Sequence, residues 1–219
     1  MNLVYTINIP VHPERAEFFN ICETSICGYA KKIGADFRVI RERSCPTEWP
    51  HVEKSRAKGF LREFDRILFL DCDIIVKPDA PDIFDLDPGC FWVLSETSWN
   101  PCDSQPHHGT LIDRFGPMDC PKTPDGRWHY YNTGVMLFDR SQTEVFDNWD
   151  WDRFFCDIFE QTYLNGLIIK YGNPRCFDLK WNCMQTFHSR RKEEAWFVHY
   201  TDADKCGDVA KEDWKKWKR

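Results

Sequence analysis

The run Arg66-Ile-Leu-Phe-Leu-Asp71-Cys-Asp73-Ile-Ile-Val76 constrains this chain more than any other stretch. An apolar run of strand length ends in two acids one residue apart, and a second apolar triplet follows. Open α/β sheets bind their ligands at the carboxyl ends of their strands. An unpaired buried carboxylate is costly, so two of them at a strand mouth need a reason. A hard, oxygen-preferring divalent cation supplies one, and such cations commonly hold a phosphate too. The i, i+2 spacing sends both carboxylates to the same side. The run therefore points to a metal–nucleotide site at the end of a buried strand.

The surrounding pattern supplies the frame for such a site. Residues 3–9 are rich in β-branched types and predict a first strand. Phe18, Ile21, Cys22, Ile26, Tyr29 and Ala30 recur at helical spacing over 13–33, and Gly34 closes that helix. Residues 37–40 predict a second strand, so the chain opens β-α-β, the mark of a parallel sheet with helices on its faces. A short amphipathic helix is expected over 53–64, a turn or short helix over 79–86, and a strand over 90–94. Further strands are expected over 131–139, 175–179 and 196–200, and a helix over 152–171. Residues 97–130 are polar and crowded with Pro, Gly and His, and read as a long loop that covers a substrate or binds an acceptor. The basic tail over 211–219 carries Trp214 and Trp217 and reads as a terminal helix with at most weak attraction to a membrane surface.

Bulk composition narrows the function classes. A chain of 219 residues fits one α/β domain spanning 1–219. At 42% hydrophobic and 29% charged it is not a disordered chain, and a net charge of −6 argues against a nucleic-acid partner. No stretch approaches the roughly 20 apolar residues that span a bilayer. The first residues read as a strand rather than a signal peptide, so a cytoplasmic location is expected, in the host cytoplasm if the chain is virus-encoded. The 11 cysteines form no C-x-x-C pair, which argues against a zinc knuckle and for reduced thiols. Cys102 and Cys120 are the best candidates for an exception.

Five segments, in order, resemble the retaining, glycogenin-like glycosyltransferases of family 8. They are Phe69-Leu-Asp71-Cys-Asp73 with Pro78 and 82–86; Lys54 ahead of it; Tyr131-Asn132-Thr-Gly134-Val; Glu160-Gln161-Thr-Tyr-Leu-Asn165; and His199-Tyr-Thr-Asp202-Ala-Asp-Lys205. The resemblance implies a GT-A-like α/β fold with a mostly parallel central sheet flanked by helices. It also implies transfer of a hexose from a UDP-sugar, UDP-glucose-like, to an acceptor hydroxyl with retention of configuration, in glycan synthesis. Glycan, protein and lipid acceptors stay open. Asp71, Asp73 and His199 are expected to hold Mn²⁺, with Mg²⁺ as a substitute, since neutral imidazole suits such an ion. Lys205 would bind the diphosphate as a point charge. Gln161, Glu160 and Asn132 are the expected catalytic group, with Gln161 near the reacting carbon. Tyr5 and Thr6 would face uracil and ribose, and Lys54, Asp125, Asn132 and Gly134 would contact nucleotide or sugar.

Two departures stand out. The Gly of the family's H-x-x-G-x-x-K segment is Asp202 here, which bears on the phosphate grip if a positive φ is needed. The Asp of its D-Q pair is Glu160. Two other readings compete: a non-catalytic nucleotide-sugar-binding relative, and a phosphohydrolase of the haloacid dehalogenase type, whose D-x-D also ends a strand.

Overall fold

The computed structural model describes residues 1–9, 13–97, 101–155 and 160–218, and within them all side chains except those of residues 101–106 and 203–205. The chain runs β1 (Asn2–Ile7), α1 (Ala16–Lys32), β2 (Asp36–Ile40), α2 (Ala57–Phe60), β3 (Arg66–Leu70), β4 (Ile74–Val76), β5 (Phe91–Ser95), α3 (Pro101–Phe115) and β6 (Tyr131–Asp139). It continues through α4 (Thr143–Asp147), α5 (Gln161–Tyr171), β7 (Pro174–Cys176), β8 (Cys183–Met184), α6 (Gln185–His188), β9 (Phe197–His199) and α7 (Ala203–Trp217).

Six strands form the main sheet in the order β2-β1-β3-β6-β5-β7. The pairs β1–β2, β1–β3 and β5–β7 are parallel, and β6 is antiparallel to both its neighbours. Strand alternation buries both faces. Leu3, Tyr5, Ile67, Phe69, Met136 and Phe138 share one core with Phe60 of α2 and Leu164 and Leu167 of α5. Val4, Leu68, Leu70, Val135 and Leu137 share the other with Ile26 and Tyr29 of α1. Each such side chain taken from water contributes roughly 1.5–3 kcal/mol. The result is the expected α/β fold with helices on a central sheet, in which three of the five strand pairs are parallel.

A second, three-stranded sheet lies in the order β4-β9-β8. The residues that join the two sheets are Asp71, Cys72 and Asp73, between the end of β3 and the start of β4. The acidic motif is thus the crossover from one sheet to the other. It is pinned at its first residue, where the Asp71 N–H donates to the Gly134 carbonyl at 2.8 Å. Opposite it, β6 bulges: Trp92 pairs with Leu137 but Leu94 with Asn132, so β6 carries extra residues there. Bulges of this kind redirect side chains beside functional sites.

Three expectations need correction. The 97–130 segment is not a structureless loop, because α3 occupies much of it; its Pro101 stands at the first helical position, where a missing N–H costs nothing. The helix expected from 152 begins at Gln161. Ahead of it, Trp149, Phe154 and Phe155 supply apolar spacing from turns that pack on the α5 core. The helix expected over 53–64 is a 3₁₀ turn, Pro50–Arg56, followed by a single turn of α2. The basic tail is the end of α7, whose Trp214 and Trp217 dock on a core shared with α1. Cys120 is a buried free thiol; the side chain of Cys102 lies outside the described residues.

Candidate active site

Strand pairing assembles the site from distant parts of the chain. Ile74 pairs with His199, and Met184 pairs with His199 on the other side. The imidazole is thereby delivered beside the acids. Donor atoms of Asp71, Asp73 and His199 all lie within 4.8 Å of one another. His199 Nε2 is 3.1 Å from Asp73 Oδ1 and 4.0 Å from Asp71 Oδ2. Gly134 makes room for this group: a Cβ there would stand 2.3 Å from His199 Cε1 and 2.9 Å from Asp71 Oδ2.

These residues fit a divalent cation. Asp73 Oδ1 is buried and meets no hydrogen-bond donor among the described residues. Burial pushes the Asp71 carboxyl up, and the neighbouring Asp73 charge adds to that against the pull of Lys54. Burial alone would lower His199, but the Asp73 and Asp71 charges prevail and raise it. All three strains are those that a bound cation relieves. Neighbouring ligands of an octahedral ion with bonds of about 2.1 Å stand about 3 Å apart, close to the 3.1 Å between Asp73 Oδ1 and His199 Nε2.

Behind the acids lies a buried cation. Lys54 Nζ is 2.6 Å from Glu160 Oε1 and 3.2 Å from Asp71 Oδ1, and donates to the Thr133 carbonyl at 3.2 Å. Thr133 Oγ1 also donates to Glu160 at 3.1 Å. Burial pushes Glu160 up, yet Lys54 more than offsets this and holds it below the usual range. Both Lys54 and Glu160 are closed off from solvent and are committed to each other.

A third group continues along β6. Asn132 Nδ2 donates to Glu96 Oε1 at 2.9 Å and to Gln161 Oε1 at 3.3 Å, and Gln161 Nε2 reaches Glu96 Oε1 at 3.4 Å. Gln161 Oε1 also accepts from the Thr133 N–H at 3.3 Å. The Glu96 carboxyl is pushed up by burial. On the metal side a cleft of about 610 Å³ opens, lined by Asp71, Asp73, Asp202, Arg43, Trp49 and His51 among others.

The structure brings Asp71, Asp73, His199, Lys54, Asn132, Gly134, Glu160 and Gln161 into one connected region. Three further expected residues are buried on β1 or line another cleft. Tyr5 is buried between Phe60 and Phe69, its hydroxyl donating to the Lys54 carbonyl at 3.3 Å. Thr6 is fully buried on the strand. Asp125 is held by Thr123 and by Arg127, 2.7 Å away, and lines a different cleft with Ser95 and His129. The side chain of Lys205 lies outside the described residues. Asp202 takes φ +79°, the left-handed conformation that its glycine counterpart would favour, so the backbone turn is kept despite the departure. Sequence reasoning missed Glu96, Asn182 and the Arg43–Trp49–His51 wall. The wall had a signal, since it follows the carboxyl end of a parallel strand; the other two had none.

Residues 54–149 match the model of glycosyl transferase family 8. Over that segment the chain resembles the family 8 glycosyltransferases. No curated protein matches by sequence. Among solved structures, a glycosyltransferase involved in glycosylation of the major capsid of PBCV-1 is similar at 16% identity and TM-score 0.63, with 98% of each chain covered. The galactosyltransferase LgtC, solved with donor and acceptor sugar analogs, is similar at 12% identity and TM-score 0.58, covering 100% of this chain and 97% of that one. Mouse xyloside xylosyltransferase 1 is similar at 12% identity and TM-score 0.54, covering 92% and 98%. At such identities these likenesses show the GT-A fold. Among the described residues no helix is long and apolar enough to cross a membrane.

Proposed function

We propose that this glycosyltransferase moves a hexose from a UDP-sugar to an acceptor hydroxyl with retention of configuration, using Mn²⁺ held by Asp71, Asp73 and His199. The observation that carries the reading is that cluster, opening onto a cleft walled by Trp49, His51 and Arg43. A flat aromatic wall and a guanidinium suit a base and a diphosphate. Lys205 follows the left-handed turn at Asp202 and is the diphosphate's second cation in this reading. When bound, the metal neutralises charge on the departing diphosphate, so no protein acid is needed there.

The sugar end falls to Asn132, Gln161 and Glu96. Gln161 is fixed by the Thr133 N–H and by Glu96, so its amide is held at a set orientation beside Asn132. Glu160 is the obvious carboxylate for a covalent intermediate, but it is spent on Lys54 and Thr133. Same-face attack beside Gln161 therefore suits this site better than double displacement through Glu160. The helix α3 borders this end, where His107 stacks on Tyr130 with centroids 5.1 Å apart. The 97–130 segment is our candidate for the acceptor side, whether that acceptor is glycan, protein or lipid.

The test is a panel of UDP-hexoses, read first by slow Mn²⁺-dependent hydrolysis and then by proton NMR of the glycoside formed on a competent acceptor. One donor should turn over, and an α-linked donor should give an α-linked product. A β-linked product would refute retention. Binding of UDP-sugars without any turnover, with every acceptor class tried, would favour the non-catalytic relative.

A further inference from the structure

The imidazole of His199 has two nitrogens, and only the one without a proton can ligate a metal. Nε2 faces the acids, at 3.1 Å from Asp73 Oδ1. Nδ1 faces Asn182 Oδ1 at 3.0 Å. Asn182 is fully buried, immediately ahead of β8, the strand that flanks His199. Its amide orientation follows from a backbone donor. The Gly134 N–H donates to Asn132 Oδ1 at 3.0 Å, so that atom is an oxygen. Asn132 Oδ1 also accepts from Asn182 at 2.8 Å, so the donating atom of Asn182 is Nδ2. Asn182 Oδ1 is then the atom turned to His199, and it can only accept. In the neutral ring the proton is on Nδ1.

We propose that Asn182 is a positioning residue that keeps the His199 proton on Nδ1 and so reserves Nε2 for the metal. This rests on the reading of Asp71, Asp73 and His199 as a metal site. The need for it lies in Asp73. Without Asn182, the acceptor left to the ring is the Asp73 carboxylate, which would capture a proton on Nε2. The histidine and the acid would then satisfy each other and close the site. Outer partners that fix a ligand's tautomer typically change metal affinity 10–100-fold when removed. The relay also ties the metal side to the sugar side, because Asn132, which orients Asn182, bonds Glu96 and Gln161 as well.

The test uses Asn182→Leu and Asn182→Asp. The His199 ring is read by long-range nitrogen–proton NMR of metal-free protein, at a pH where the spectra show it neutral. Mn²⁺ affinity is measured by calorimetry on the same samples. Wild type should show the Nδ1–H ring. N182L should switch to Nε2–H and lose about 10–100-fold in Mn²⁺ affinity. N182D still offers an acceptor to Nδ1–H and should keep the Nδ1–H ring, although it loses the donor that Asn182 gives Asn132 Oδ1. An Nε2–H ring in wild type would overturn the proposal, as would unchanged Mn²⁺ affinity in folded N182L. If wild type bound no Mn²⁺ but the ring switched in N182L as described, the tautomer lock would stand and the metal reading alone would fall.

Discussion

Gly134 and His199 occupy one space: a Cβ on Gly134 would stand 2.3 Å from Cε1 of the imidazole. The strand backbone of Gly134 cannot retreat, because its carbonyl holds the Asp71 N–H. Gly134→Ala must therefore displace the ring. We expect at least a 100-fold loss of Mn²⁺ affinity, with overpacking costing about 1–3 kcal/mol of stability. Calorimetry and chemical denaturation check both. Unchanged metal affinity would mean that the ring position is not needed.

Lys54 Nζ forms a buried ion pair with Glu160 Oε1 at 2.6 Å. Lys54→Met strands a buried carboxylate and should cost about 3–5 kcal/mol in denaturant unfolding. Adding Glu160→Gln in the same chain should recover part of that loss. A K54M protein of wild-type stability would show that the pair is solvated.

Glu53 fixes the loop that carries the Trp49 wall. It accepts from the Ser44 and Cys45 N–H groups at 2.6 and 2.8 Å. Burial pushes its carboxyl up, but these hydrogen bonds prevail and hold it below its ordinary value of 4.5. A depressed carboxyl contributes stability that is present above the unfolded value and lost as pH falls through the folded one. The stability gap between wild type and Glu53→Gln should accordingly be full near neutrality and shrink in acid, in denaturant melts taken from about pH 7 to about pH 3. A gap independent of pH would contradict the ionised assignment.

Asp202 sits at φ +79° at the start of α7. Asp202→Gly removes that strain and should gain about 1 kcal/mol. It also removes a negative charge from the cleft, so UDP should bind more tightly. A weaker UDP interaction in D202G would assign the carboxylate a role in holding the donor.

The strands of the main sheet and the first helix were legible because both sheet faces are buried, which leaves long apolar runs such as 66–70 and 131–139. The acids of the site were legible for the same reason, since Asp71 and Asp73 interrupt such a run. His199 was found through a motif. Its meeting with Asp73 is a product of β4–β9 pairing across more than half the chain, which local pattern does not encode. Glu96 and Asn182 are single polar residues beside apolar strands and gain meaning only from their partners in space. Tyr5 turned inward because strand alternation gives it the face shared with Leu3 and Phe69. The helix α3 escaped notice because Pro, Gly and His broke its apolar period.

The most direct test of the account is calorimetric titration of UDP into the protein, with Mn²⁺ and then with excess EDTA, for wild type and Asp73→Asn. The account predicts binding that appears with the metal, vanishes with the chelator, and is lost or greatly weakened in D73N. Equal UDP binding in Mn²⁺ and in EDTA, or none in either, would contradict a metal–nucleotide site at Asp71, Asp73 and His199.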